Sequence, residues 1–210
     1  MSALPSAEPS VPLTAVDVVF ALDAQALPRE HAQALQQALC AQWPWLSADP
    51  GAGIHSIKVV PGNDALALLS RRARLLLRVG AARVQELLGQ PELELVVAGC
   101  RLRLGAAHVR ELQSHATLYA YKVAADSADE VSFIAALTPE LAQLGIGGEP
   151  VCGKRQSLQV AGRTQQTFSM MLHQLTPQQS LRLQQVGLGP HRLLGCGLFV
   201  PHKSAAAVGA

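Results

Sequence analysis

The residues best placed for chemistry are two histidines near the start of the chain, His31 and His55. His31 ends the run LPREH and stands where a helical pattern begins. The positive end of a helix disfavours imidazolium, so the site suits a base that stays neutral near pH 7. His55 lies in PGAGIHSIK, a glycine-loosened loop running into an apolar stretch, with Lys58 three residues on. A loop histidine beside a lysine suits proton transfer next to a phosphate. Either histidine, taken singly, also reads as a packed or surface imidazole. The sequence contains no HExxH, no His-x-Glu with a PCxxC, and no GxSxG. Those patterns would have pointed to a zinc hydrolase, a zinc deaminase or a serine hydrolase. No metal is expected.

A second group closes the chain: GLGPHRLLGCGLFVPHK, over residues 187–203. Gly187, Gly189, Gly195 and Gly197 permit positive φ and close backbone approach, so their N–H groups could cradle phosphates. His191, Arg192, His202 and Lys203 add cationic or titratable side chains. The other reading is a tight turn in which glycine serves packing. Neither a Walker loop nor a dinucleotide fingerprint is present.

Charge is distributed unevenly. Residues 1–149 hold 11 Lys/Arg and all 15 acids, whereas residues 150–210 hold 6 Lys/Arg and no acid. A second acid-free stretch, residues 65–85, carries Arg71, Arg72, Arg74, Arg78 and Arg83. Two basic segments on a chain of net charge +2 fit a polyanion partner better than the overall charge does. Aromatic residues are scarce at 4%: Trp43 and Trp45 flank Pro44, and Tyr119 and Tyr121 share one face of a strand pattern. The tyrosines read as core or edge packing and the tryptophans as a core plug.

The elements that must hold these groups come from pattern. At 210 residues and 49% hydrophobic, the chain can build a sizeable core in one large or two small domains. No apolar run is long enough for a membrane span, no secretory signal is visible, and four scattered cysteines suit reduced thiols in a cytoplasm. Residues 1–13 and 205–210 read as loose tails. Between them one pattern is written twice. Residues 15–22 form a strand, and residues 27–42 a helix with Pro28 in its first turn. A long hairpin follows, residues 54–60 and 65–79 around PGND. A short helix, residues 81–88, and a ribbon, residues 93–97 and 100–104, complete the first unit. The second unit has a strand at 117–124, a helix at 129–144, and a hairpin at 151–160 and 164–175. A helix at 176–186 capped by Thr176 and a strand at 192–200 close it. The order β-α-β-β-α-β, twice, predicts an α+β protein of two tandem ferredoxin-like domains with antiparallel sheets, residues 14–115 and 116–204.

Read in order and spacing, LPREHAQAL, PWL…GIHSI, LLSRRARLLLRV, LRLG, TLYAYKV, CGK, FSMMLH and GLGPHRLLGCGLFVPHK resemble a family. It is that of the CRISPR-associated repeat-processing endoribonucleases of the RAMP superfamily, and within them the branch called the MYXAN subtype. The resemblance spans residues 16–203; SRRARL and the glycine-rich end are its most specific parts, and LPxxH is weaker. It implies a double ferredoxin-like fold and cleavage of precursor CRISPR RNA within each repeat, without metal or cofactor. The 2′-hydroxyl attacks the adjacent phosphate, leaving a 2′,3′-cyclic phosphate and a 5′-hydroxyl. Such chemistry needs a base, an acid and cationic stabilisation of the phosphorane.

Family members place a catalytic histidine in or just after the first helix, and both His31 and His55 match that neighbourhood. His55 is preferred as the loop position, with Lys58 as an electrostatic aid, and His31 stands beside it as the other candidate. The tyrosine that some members use is absent, since no tyrosine precedes Tyr119. Arg71, Arg72, Arg74, Lys154, Arg155, Arg192, His202 and Lys203 would grip phosphates. The implied partners are precursor and mature guide RNA and other subunits of a CRISPR effector complex, with no membrane. A non-catalytic RNA-capping subunit of such a complex is the second reading. A ferredoxin-like metabolic or regulatory domain fits the acid-free end poorly.

Overall fold

The computed structural model describes residues 14–60 and 66–202. The chain is α+β, with two antiparallel sheets that each carry helices on one face. In the first half, β1 (Ala15–Asp23) leads through β2 (Ala26–Pro28) to α1 (Ala32–Gln42) and α2 (Trp45–Ala48). There follow β3 (Gly53–Ile54), β4 (Leu66–Leu68), β5 (Arg74–Gly80), a 3-10 turn into α3 (Val84–Leu88), β6 (Leu93–Val97) and β7 (Cys100–Arg110). The sheet order is β3-β5-β1-β7-β6, with β2 and β4 paired apart from it. In the second half, β8 (Leu118–Ala125), α4 (Glu130–Gln143), β9 (Glu149–Val160), β10 (Arg163–His173), α5 (Pro177–Val186) and β11 (Phe199–Pro201) give the order β11-β8-β10-β9.

Local chemistry accounts for most boundaries. Asp129 caps α4 by accepting from the Ser132 amide at 2.8 Å, and Thr176 closes a capping box with Gln179 at the start of α5. Both tight hairpins turn on Ala-Gly pairs with positive φ at both residues, at Ala98-Gly99 and Ala161-Gly162, the twist that paired strands demand.

Three expectations are corrected. The first helix starts at Ala32 and not at residue 27, because Ala26–Pro28 pairs with β4 and His31 becomes the N-cap. Pro28, which has no N–H to donate, is tolerated in that small two-stranded pair. The long hairpin is cut short: only Gly53 and Ile54 pair with β5, while Val60 bridges to Leu68. After the His55 N–H, which still bonds to Leu76 O, residues 56–59 leave the ladder, and the glycine-rich end lies over their start. A Cβ at Gly195 would stand 2.6 Å from Ser56 Oγ. The PGND turn and both terminal tails lie outside the described residues. The closing strand shortens to β11, and Arg192–Leu194 forms a 3-10 turn.

Strand alternation places the site. Val16, Val18, Phe20 and Leu22 of β1 and Leu75, Leu77 and Val79 of β5 pack with Leu35 and Leu39 of α1. Asp17, Arg74 and Arg78 therefore fall on the opposite face. In β8, Leu118 and Ala120 pack with Phe133 and Leu137 of α4, which turns Tyr119 and Tyr121 to the opposite face. The two helix-free faces enclose a groove.

Candidate active site and nucleic-acid interface

The groove between the sheets has a volume of about 920 Å³ and is lined by Lys58, Arg72, Arg74 and Arg110 from the first half and by Tyr121 and Gln184 from the second. A smaller recess of about 470 Å³ holds His31, with Lys58, Lys122, Gln156 and Leu194 around it. His55, Ser56, Lys58 and Tyr121 line both, so the two cavities meet at that segment. The structure thus brings together the three residues singled out for catalysis, although His31 and His55 stand 24 positions apart.

The two histidines are held differently. His31 is buried at the mouth of α1, with its Nδ1 2.7 Å from the Pro28 carbonyl. That contact makes Nδ1 the N–H donor and, in the neutral ring, leaves Nε2 with its lone pair. Burial, with the Lys122 charge nearby, lowers the His31 pKa, so the neutral base persists below the usual histidine range. His55 turns Nε2 to the Asp17 carboxylate at 3.2 Å, and its side chain is 11% exposed. Its backbone N–H donates to Leu76 O at 3.0 Å. His55 therefore sits in a bonded segment, against the expectation of a loosened loop. Burial lowers its pKa, and the Asp17 bond that opposes this is offset in part by Arg78 and Arg110.

Asp17 is the hub. Arg78 and Arg110 are its direct strand partners on either side, which aligns three charged side chains across β5, β1 and β7. Arg78 Nε and Nη2 donate to Asp17 at 2.9 and 3.3 Å, and Arg110 Nη2 donates at 2.6 Å. Burial alone would raise the Asp17 pKa; the bond from His55 and the charge of Arg78 hold it far below the ordinary carboxylate range. Arg78 reaches on to the second half, donating to Gln184 O and Phe199 O at 2.8 and 2.9 Å. The expected basic stretch at 65–85 thus contains one arginine that never meets solvent.

The glycine-rich end departs from the phosphate-cradle expectation. Gly187 N–H donates to Leu183 O, Gly189 to a Glu140 carboxylate oxygen at 2.9 Å, Gly195 to Arg192 O and Gly197 to Lys122 O. All four amides are committed inside the protein. The positive φ values serve close packing: a Cβ on Gly197 would lie 2.0 Å from Leu188 O. Arg192 is likewise drawn inward, donating to the carbonyls of Gly51, Ala52, Gln185 and Val186, and burial pushes its pKa down to about 10. It ties the glycine-rich end to the loop before β3, so the expected phosphate grip is corrected to a brace.

Of the other basic residues, Arg72 lines the large groove. Arg74 does too, with one guanidinium nitrogen bonded to Ala73 O at 2.7 Å. Arg71 stays in the exposed turn before β5, and Lys154 and Arg155 lie on β9 outside both cavities. The His202 ring rests 5.3 Å from Tyr119, and Lys203 lies outside the described residues. Trp43 is a buried core residue as expected, while Tyr121, at 46% exposed and edge to face with Tyr119, packs at the edge and not in the core. Sequence reasoning missed Lys122 and Arg110. Both lie in strands whose register was needed to see what they face, and TLYAYKV was the one available signal for Lys122.

Among the described residues no three His, Cys, Asp or Glu side chains gather where they could hold a metal ion, and no helix is long and apolar enough to cross a membrane. The sequence matches the family described as "Cas6 Crispr" over residues 16–204. It is 34% identical over 194 residues to the "CRISPR-associated endonuclease Cas6" of Myxococcus xanthus (strain DK1622), covering 92% of this chain and 84% of that protein. Among solved structures, a "CRISPR associated protein Cas6" superposes with a TM-score of 0.66 at 9% identity, over 90% of this chain and all of that one. A Cas6-related protein from Pyrococcus furiosus gives 0.56 at 11% identity, over 89% and 98%. These two share the fold; the family assignment rests on the sequence matches, and the chain belongs to the Cas6 family of CRISPR-associated endoribonucleases.

Proposed function

We propose that this protein cleaves precursor CRISPR RNA within its repeats, by attack of the 2′-hydroxyl on the adjacent phosphate, to give a 2′,3′-cyclic phosphate and a 5′-hydroxyl end. The observation that carries this reading is His31. Its Nδ1 is fixed on Pro28 O, which in the neutral ring leaves the lone pair on Nε2, and burial favours that neutral form in a recess lined by Lys58 and Lys122. Nε2 takes the 2′-OH proton, and the two lysines offset charge on the phosphorane. His55, with Nε2 on Asp17, is assigned to the wall joining the two cavities as the second candidate for proton transfer, to the leaving oxygen.

The sheet orders β7-β1-β5-β3 and β11-β8-β10-β9 both follow the order of a β-α-β-β-α-β unit, supporting two ferredoxin-like domains, residues 14–115 and 116–204. The identity to the Myxococcus relative supports the MYXAN branch. After cleavage, the product guide RNA stays bound and other subunits of an effector complex join it. The free thiols of Cys40, Cys100, Cys152 and Cys196 fit a reducing cytoplasm.

The decisive experiment mixes protein with its labelled repeat RNA in excess EDTA, beside the same RNA carrying a 2′-deoxy nucleotide before the cut. Cleavage of the first and not the second is expected. Binding of both without cleavage would instead identify an RNA-capping subunit. For the large groove, Arg72→Ala should weaken binding evenly across RNA sequences and lower the slope of log Kd against log salt by about one, because one phosphate contact releases its counterion. A slope equal to wild type would remove Arg72 from the interface.

A further inference from the structure

We infer that Tyr121 is a stacking platform for an unpaired base of the RNA, seated where the two cavities meet; this rests on the RNA-cleaving reading above. Tyr121 is on the helix-free face of β8, a strand with neighbours on both sides, and it is 46% exposed. A tyrosine of the core would not be so open. Its setting is nevertheless ordered. The Tyr119 ring meets it edge to face at 5.0 Å and 87°, and its carbonyl accepts from Gln156 Nε2 at 2.9 Å. A ring held in place on a strand binds a base at small entropic cost.

The surroundings define the ligand. Tyr121 borders both cavities, with Arg72 and Arg110 on one side and Lys122 on the other. A strand of RNA crossing from the large groove to His31 passes phosphates along those cations and lays a base on the phenol ring. The base must be unpaired, since both faces of a base within a duplex are already covered by its neighbours. The tyrosine thereby sets how the strand enters the recess and which nucleotide reaches His31. The phenol hydroxyl bonds to no protein group among the described residues, so the face of the ring is what the assignment uses.

The test compares Tyr121→Leu, Tyr121→Phe and Tyr121→Trp with wild type. Each is bound to repeat RNA made uncleavable by a 2′-deoxy nucleotide, with 2-aminopurine placed in turn at each position flanking the cut. Leucine should weaken binding between about fivefold and a hundredfold, the worth of one base stacked on an aromatic ring. The salt slope should not change, because no charge is removed. Phenylalanine and tryptophan should restore affinity to within about twofold. One probe position should be quenched by wild type, Phe and Trp and stay bright with Leu. Wild-type affinity in Tyr121→Leu, or a loss in Tyr121→Phe as large as in Leu, would overturn the platform while leaving the cleavage reading intact. Failure of wild type itself to bind the RNA would be visible before any variant is compared and would sink both.

Discussion

His31→Ala should lower the single-turnover cleavage rate by about a hundredfold to ten-thousandfold, the usual worth of one positioned acid or base, while the Kd for uncleavable repeat RNA moves by less than about threefold. The split between rate and affinity is the informative part. His31 contributes one neutral ring to the recess, whereas Arg72 and Arg110 line the other cavity and carry the charge. The wild-type pH profile gives a second readout. Burial and Lys122 depress the His31 pKa, so the ring stays neutral at a lower pH than a free imidazole does. The logarithm of the rate should fall on acidification with a midpoint below the free-imidazole value of 6.5. His55→Ala should cost less in rate than His31→Ala, since the base that starts the reaction is assigned to His31 and His55 is the second candidate on the wall between the cavities. If His31→Ala cuts at the wild-type rate and His55→Ala does not, the two assignments are exchanged and the sequence-based preference for the loop histidine was the better one.

That exchange shows what the sequence could and could not carry. The strands β1, β6 and β8, the cap Thr176 and the two Ala-Gly turns were readable because each depends on residues within a few positions of itself. What failed depends on partners far along the chain. Pro28 joins a strand because Leu66 lies opposite, and residues 56–59 leave their ladder where Gly195 meets Ser56. Arg78 looked like one more surface cation in a basic run until register set it beside Asp17. The glycine-rich end was recognised as special, but whether the Gly189 and Gly197 amides face a phosphate or the protein is decided by Glu140 and Lys122, which no local pattern connects to it. Helix α5 hid its role for the same reason. Its buried Ser180, Gln184 and Gln185 look polar in sequence, yet they bond His115 N, Gln113 O and Thr14 across the seam between the halves.

Arg78→Met should destabilise the protein by about 3–5 kcal/mol, the cost of breaking a buried ion pair from one side. The side chain is fully buried and holds four acceptor contacts: two to Asp17 oxygens in the first half and the carbonyls of Gln184 and Phe199 in the second. Methionine fills much of the volume and satisfies none of them. Asp17 keeps Arg110 and His55, but the two carbonyls lose their donor in a dry interface. Arg78→Lys, which keeps the charge but lacks the forked donors, should recover only part of the loss. Urea denaturation of the three proteins measures this directly, and a Met variant within about 1 kcal/mol of wild type would show that the clamp is not what joins the halves. Acid adds an independent check. The folded Asp17 carboxyl titrates far below its unfolded value of 3.8, so its stabilisation is complete above that pH and drains away as pH falls toward the folded pKa. Removing the Arg78 charge raises the folded pKa and shrinks that reserve, so Arg78→Met should unfold at a higher pH than wild type. Because Arg78 also fixes where Asp17 holds His55, the same variant, assayed where it is still folded, should bind RNA less tightly than His31→Ala does, the groove between the sheets having lost its shared anchor.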